Sequence, residues 1–208
     1  TAIGNASGLA GKAAFYQIAS AIGLNIYSST GSINLTAISN VSNALAIYFP
    51  NQNGLSDHIG WNGTGAGTTG NITIHAADAG DNSGVNLSGL AIKTNGGSLT
   101  LGAMPFIAGE AGTSASTGLG LGGFTIPNTL IASGSIINHL LIGGVNNYGG
   151  ITVNQPFGQG TLAGNTCTGG NCLTGSVTIE NGGLYASGTN TVANPAALSP
   201  YSTYGTNI

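Results

Sequence analysis

Charge is what this chain has least of. Two of its 208 residues are Lys or Arg and five are Asp or Glu, whereas an ordinary soluble domain carries charge on roughly a quarter of its positions. The two cations, Lys12 and Lys93, are too few to neutralise a run of phosphates, which argues against nucleic acid as a partner. The five carboxylates, Asp57, Asp78, Asp81, Glu110 and Glu180, give acid little to protonate, so indifference to low pH is expected. No apolar run reaches the ~18–20 residues of a membrane-spanning helix, and no membrane span is expected. Runs of Ala, Leu, Glu and Lys that would favour helices are missing as well.

Cysteine is almost as scarce. Cys167 and Cys172 stand alone, separated by Thr-Gly-Gly-Asn, with no further soft ligand nearby. A metal site is therefore not expected, whereas a disulfide formed in an oxidising compartment is. The chain opens at Thr1 without a basic and apolar leader, which reads as a mature secreted product.

Glycine, with 38 copies, fills the space left by charge, together with Asn, Thr and Ser. Between them lie short alternations of apolar and polar residues: Ile33-Asn34-Leu35-Thr36, Asn71-Ile72-Thr73-Ile74, Ser98-Leu99-Thr100-Leu101, Ile151-Thr152-Val153 and Ser176-Val177-Thr178-Ile179. Period-2 alternation is the mark of half-buried strands. The turn residues Asn95-Gly96-Gly97 and Asn181-Gly182-Gly183 predict hairpins over residues 90–101 and 177–186. Residues 44–49 and 136–142 read as strands buried on both faces, the second alternatively as a short helix. Residues 109–123 read as a loop, and 194–208 as irregular cover over the core. The expected fold is all-β, an antiparallel β-sandwich.

The N-terminal stretch differs in kind. Even positions run Ala2, Gly4, Ala6, Gly8 and Ala10, then Ala14, Tyr16, Ile18, Ser20, Ile22, Leu24 and Ile26. One face of an extended segment is thus small at first and bulky later. Such an arm is longer than a usual strand of about 5–6 residues. Three readings follow: two successive strands of the domain's own sheet, an amphipathic helix over residues 13–21, or a strand lent to the edge of a neighbouring subunit's sheet, where Ala14, Tyr16, Ile18, Ile22, Leu24 and Ile26 would fill successive pockets. The last divides the chain into an arm at 1–27 and a domain at 28–208.

Asn-x-Ser/Thr occurs at Asn5, Asn34, Asn40, Asn62, Asn71 and Asn86, marking candidate N-glycosylation sites. All six fall among the 11 asparagines of the first 88 residues and none among the 12 that follow. That skew points to glycans concentrated on one side of the molecule, where sugar would replace charge as the source of solubility.

Catalytic patterns are weak. His58, His75 and His139 are the candidate bases, but no Gly-x-Ser-x-Gly element or paired carboxylates accompany them. His75, Asp78, Asp81 and Asn82 share a stretch with oxygen ligands for Ca²⁺, at a low acidic density that favours an ordinary turn. The Gly-rich run at 118–123 lacks the Lys-Ser/Thr of a phosphate loop. Lys12 or Lys93 has the chemistry for an isopeptide bond to an Asn, though sequence does not pair them. No catalytic residue, metal or cofactor is expected, N-linked glycans apart.

The near-uncharged Gly/Asn/Thr composition, the alternating arm and the six sequons together resemble the archaeal thread subunits of acid-dwelling Sulfolobales. That resemblance implies a secreted, N-glycosylated pilin whose incomplete sandwich, similar to type-I pilins, is completed by a neighbour's N-terminal strand. It implies an extracellular filament of identical subunits joined head to tail, serving adhesion or biofilm cohesion, and no enzyme. A secreted β-helix adhesin is the alternative, suggested by units such as Gly97-Ser98-Leu99-Thr100-Leu101 and Gly150-Ile151-Thr152-Val153. Their irregular spacing places it second. A secreted hydrolase ranks third for want of a carboxylate pair.

Overall fold

In the computed structural model, the described residues are 2–4, 15–16, 23–39, 45–51, 56–77, 85–103, 124–144, 151–181, 191–192 and 202–206. They form strands and turns that wind in successive coils. The first coil supplies β1 (Ala2–Gly4), β2 (Phe15–Tyr16) and β3 (Asn25–Ile26). The second supplies β4 (Ile33–Ser39), β5 (Ile47–Tyr48) and β6 (Asp57–Ile59). The third supplies β7 (Ile72–Ala77), β8 (Val85–Asn86) and β9 (Leu90–Ile92). The fourth supplies β10 (Leu99–Ala103), β11 (Phe124–Ile126) and β12 (Ile136–Ile137). The fifth supplies β13 (Leu140–Gly144), β14 (Ile151–Val153), a hairpin of β15 (Thr161–Ala163) and β16 (Thr166–Thr168), and β17 (Cys172–Leu173). After these come β18 (Val177–Asn181), β19 (Thr191–Val192) and β20 (Ser202–Thr206).

Apart from the hairpin β15-β16, each strand pairs with its counterpart one coil away, so the walls are parallel sheets. Wall A runs β1-β4-β7-β10-β13-β18-β20; wall B is β2-β5-β8 and then β11-β14-β19; wall C begins β3-β6-β9. Wall C continues through bridges from Ile92 to Ile131 and from Asn95 to Ile136, and ends in the pair β12-β17. The hairpin β15-β16 is the antiparallel pair among the described strands. The architecture is a three-walled parallel β-solenoid.

This overturns the antiparallel sandwich. Alternation reports burial on one face, which is usual for antiparallel sheets. A coiled chain gives parallel strands the same one-sided burial, because the walls share a single interior. The side chains of wall A show it: Ile33, Ile72, Leu99, Leu140 and Val177 form one buried row, and Leu35, Ile74, Leu101, Ile142 and Ile179 the next. Fully burying each aliphatic side chain contributes about 1.5–3 kcal/mol. Between the rows, Asn34, Thr73, Thr100, Leu141 and Thr178 are exposed or half-exposed.

The corner entering each of β4, β7, β10 and β18 carries a glycine. Gly31, Gly70, Gly97 and Gly175 each stand two residues before the strand's first buried aliphatic, and Asn138 holds that place in the remaining coil. A methyl group at Gly70 would lie 2.5 Å from the Gly31 carbonyl; one at Gly97 would collide with the Gly70 oxygen, and one at Gly175 with the Asn138 oxygen. Stacked corners approach too closely for a Cβ. Beside them, the buried Thr68 donates to the Gly31 carbonyl (3.2 Å) and Thr94 to the Thr68 carbonyl (3.1 Å), linking successive coils from inside.

The two proposed hairpins are replaced by corners and neighbours. β9 lies in wall C and β10 in wall A, so Asn95-Gly96-Gly97 is the corner between them. β18 pairs with β13 and β20, and residues 182–186 lie outside the described set. The run at 136–142 is split by the Asn138-His139 corner into β12 and β13. Within 194–208, taken as irregular cover, β20 continues wall A.

The expectation that a donated N-terminal strand completes the fold is likewise corrected. β1 pairs with residues 37–39 of β4, β2 with β5 and β3 with β6, all within the chain. Tyr16 registers with Tyr48 and Ile26 with Ile59. Leu24 donates its N–H to the Asp57 carboxylate (2.7 Å) and accepts from the His58 N–H (2.7 Å). Phe15, Leu24 and Ile26 thus belong to the first coil and pack against the core. Ala14, Ile18 and Ile22 lie outside the described residues.

Candidate functional surfaces

Four of the six sequon asparagines fall on described residues; Asn5 and Asn40 do not. Asn34 is exposed on the outer face of β4, and Asn71 is exposed at the corner before β7. Asn71 is tied to both neighbouring coils: its N–H donates to Ser32 Oγ (3.2 Å) and its Oδ1 accepts from the Ser98 N–H (2.9 Å). Asn86 is half-buried in β8, where its Oδ1 accepts from Ser88 N–H (3.0 Å) and Ser88 Oγ (2.8 Å). Asn62 is exposed in the turn following β6, with Oδ1 accepting from Thr64 N–H (3.2 Å) and Thr64 Oγ1 (3.1 Å). These positions share neighbouring coils and are spread over different walls, so the skew along the sequence is a skew along the stacking axis.

Cys167 and Cys172 are bonded, with Cα atoms 5.9 Å apart. The bond fastens the hairpin to wall C, since Cys167 lies in β16, and Cys172 in β17 registers with Ile136 of β12. Gly160 passes so close that a Cβ there would sit 2.5 Å from the Cys167 sulfur.

Beside this hairpin is a groove of about 380 Å³, lined by Asn128, Thr129, Ser133, Gln155, Pro156 and Asn171 among others. Its walls are held by side-chain amides. Gln155, buried, accepts from the Ile131 N–H through Oε1 (2.7 Å) and donates through Nε2 to the Ile131 carbonyl (2.6 Å). It thereby makes both hydrogen bonds that a strand of the next coil would have made. Asn171, also buried, accepts from the Gly158 N–H (2.7 Å) and donates to the Pro156 carbonyl (3.1 Å).

The outer face of wall C gathers residues that are rare in this chain. The sole Trp, Trp61, donates its indole N–H to the Ala91 carbonyl (3.3 Å) and meets the His58 ring edge-on at 4.8 Å. The Lys93 ammonium lies 5.0 Å from the centre of the Trp61 ring and donates to the Gly65 carbonyl (2.7 Å). His58 Nδ1 is 2.7 Å from Asn25 Oδ1 on the preceding coil. Partial burial lowers the His58 pKa, opposed by the neighbouring Asp57 charge, and burial lowers that of Lys93. The groups engage one another, so the cluster clamps the turn at residues 61–65 onto wall C.

Of the residues considered for chemistry, His75 lies on β7 with its pKa lowered by burial, while Asp78 and Asp81 are outside the described set. Among the described residues no group of three or more His, Cys, Asp or Glu is placed to hold a metal ion. Lys93 is engaged with Gly65 and Trp61, and Lys12 lies outside the described set. Neither the Gln155 clamp nor the Trp61 cluster was foreseen, and for Trp61 the one available signal was its uniqueness in a Gly-rich stretch.

No protein-family model, no curated protein and no solved structure matches the chain.

Proposed function

We propose that this chain is a structural segment of an extracellular, N-glycosylated surface fibre that serves adhesion or cohesion, without a chemical step of its own. The observation carrying this reading is wall A: a continuous parallel stack with one outer row, Asn34, Thr73, Thr100, Leu141 and Thr178, that holds no charge, and a second, Thr36, His75, Gly102, Gly143 and Glu180, that holds a single carboxylate. A solenoid extends by adding coils that contact only their neighbours, which suits a protein whose task is reach. Strands about 4.8 Å apart repeat hydroxyl and amide groups along the axis, a pattern suited to holding neutral polymers by many weak hydrogen bonds. Identical copies and neutral surface polymers are the partners this reading names. Assembly by strand exchange between incomplete sandwiches is not part of it, because the fold lacks that sandwich.

Cells displaying the chain, compared with cells lacking it, should gain several-fold in mutual cohesion or in retention on a polysaccharide-coated surface under flow. Retention should change little between low and high salt, since screening acts on charges. Display without gain in either measure would defeat the reading, and so would retention that vanishes at high salt. Intact mass of the native extracellular protein should exceed that of the polypeptide by several sugar units.

A further inference from the structure

The described sequons are not equivalent, and we infer that among them Asn62 is the glycan acceptor that the folded chain offers, with Asn34, Asn71 and Asn86 closed to transfer once their coils have stacked. The inference rests on the proposed glycosylation and goes further by ordering its sites.

Transfer joins Asn62 Nδ2 to C1 of a saccharide carried on a lipid diphosphate. The C1–oxygen bond to the diphosphate breaks, the lipid diphosphate leaves with the electron pair, and one amide proton passes to a base of the transferase. A transferase must therefore seat the acceptor amide and the hydroxyl residue two positions later in its own cleft. That requires a sequon whose acceptor and hydroxyl residue project from the surface, or can be lifted from it, without dismantling the fold.

Asn34, Asn71 and Asn86 fail this requirement for distinct reasons. Asn34 is inside β4, paired with Thr73 of β7. Asn71 accepts from the Ile33 N–H through its carbonyl (2.8 Å), besides the bonds to Ser32 and Ser98, so three contacts bind it to adjacent coils. Asn86 pairs with Tyr48 and accepts from the Phe49 N–H (2.8 Å). Lifting any of them breaks ladder bonds between coils.

Asn62 belongs to no strand. Its Oδ1 already faces both donors of Thr64, so acceptor and hydroxyl residue are drawn together within one turn. Gly63 (φ 87°) and Gly65 (φ 73°) adopt left-handed conformations suited to tight turns. Trp61 on one side and the Lys93–Gly65 bond on the other anchor the base of this turn. The projecting residues can thus engage a transferase while the clamp remains closed.

The test takes the folded, unglycosylated chain, a purified single-subunit oligosaccharyltransferase and a lipid-linked oligosaccharide, with occupancy of each site read by glycopeptide mass spectrometry. Synthetic peptides spanning each sequon supply the intrinsic rates. Relative to its peptide, Asn62 should lose only a few-fold in rate on folding, whereas Asn34, Asn71 and Asn86 should lose about 100-fold or more, because they wait for local opening. Thr64→Ala should abolish modification at Asn62 and Thr64→Ser retain it. Folded-state rates at Asn34, Asn71 or Asn86 matching Asn62, or an inert Asn62, would overturn the inference. Bare native protein combined with efficient transfer to Asn62 in the assay would instead remove the proposed glycan coat and leave the site ordering standing.

Discussion

Wall A holds one register through β4, β7, β10, β13 and β18, while wall C holds it through β3, β6 and β9 and then passes into isolated bridges, the short pair β12-β17 and a hairpin. Both walls belong to the same coils, so the difference lies in how each absorbs coils of unequal length. From Ile33 to Ile72, Leu99, Leu140 and Val177 the steps are 39, 27, 41 and 37 residues. On wall A the recurring corner followed by alternating aliphatics resets the register every time. On wall C single side chains stand in where backbone is missing: Gln155 for a strand opposite Ile131, Asn171 between Gly158 and Pro156, and a disulfide under the hairpin. Repetition stabilises one wall and individual devices stabilise the other.

The largest test of that contrast is Gly97→Ala. The added methyl meets the carbonyl oxygen of Gly70, which is backbone and has no rotamer to yield. The substitution should destabilise by about 4 kcal/mol or more, or prevent folding, as strain against a fixed main chain does. Denaturant titration followed by circular dichroism measures it. A loss under about 1 kcal/mol would mean that wall A adjusts locally and does not depend on its corners. Next in size is Gln155→Leu, which keeps the bulk and leaves the Ile131 N–H and carbonyl unpaired, at a cost of about 1–3 kcal/mol for each of the two groups that stays dry. Amide exchange sharpens the comparison. Ile131 should exchange faster, while Leu99 and Leu101 keep their protection, since opening confined to a wall C device need not disturb wall A. Equal loss of protection on both walls would show the coil to be one cooperative unit.

Much of wall A is legible in the amino-acid sequence. Of the five alternating segments, those at Ile33, Ile72, Leu99 and Val177 stack there in register, and the one at Ile151 lies in wall B. Their mutual arrangement was not legible, because alternation states that one face is buried and is silent on strand direction. The solenoid signal is blurred by unequal steps and by the coil where Asn138 replaces the corner glycine. The N-terminal arm misled for a related reason. Its long period-2 pattern holds three short strands on three walls, and their partners lie one coil further along the same chain. The disulfide was readable from spacing alone. Gln155 was not: its neighbourhood, Asn-Gln-Pro, reads as a loop, and its partner Ile131 is 24 residues distant.

The smallest expected effect concerns acid, to which so few carboxylates suggested indifference. His75 on wall A and His58 on wall C both have folded pKa values below the ordinary one, through burial in each case, with Asp57 opposing the shift at His58. A base with a depressed folded pKa binds its proton more readily in the unfolded chain, so stability rises with pH across that interval. The contribution is intact above the unfolded histidine value, roughly 6.5, and is lost as pH falls from there through the lower folded values. Unfolding free energy followed from pH 8 to 5 should therefore stay level at first and then decline modestly. His58→Gln and His75→Gln should each remove part of the decline, and whichever removes more identifies the wall that yields first to acid. A stability that increases on acidification through this range would contradict the burial of both rings and with it the packing assigned to these two faces.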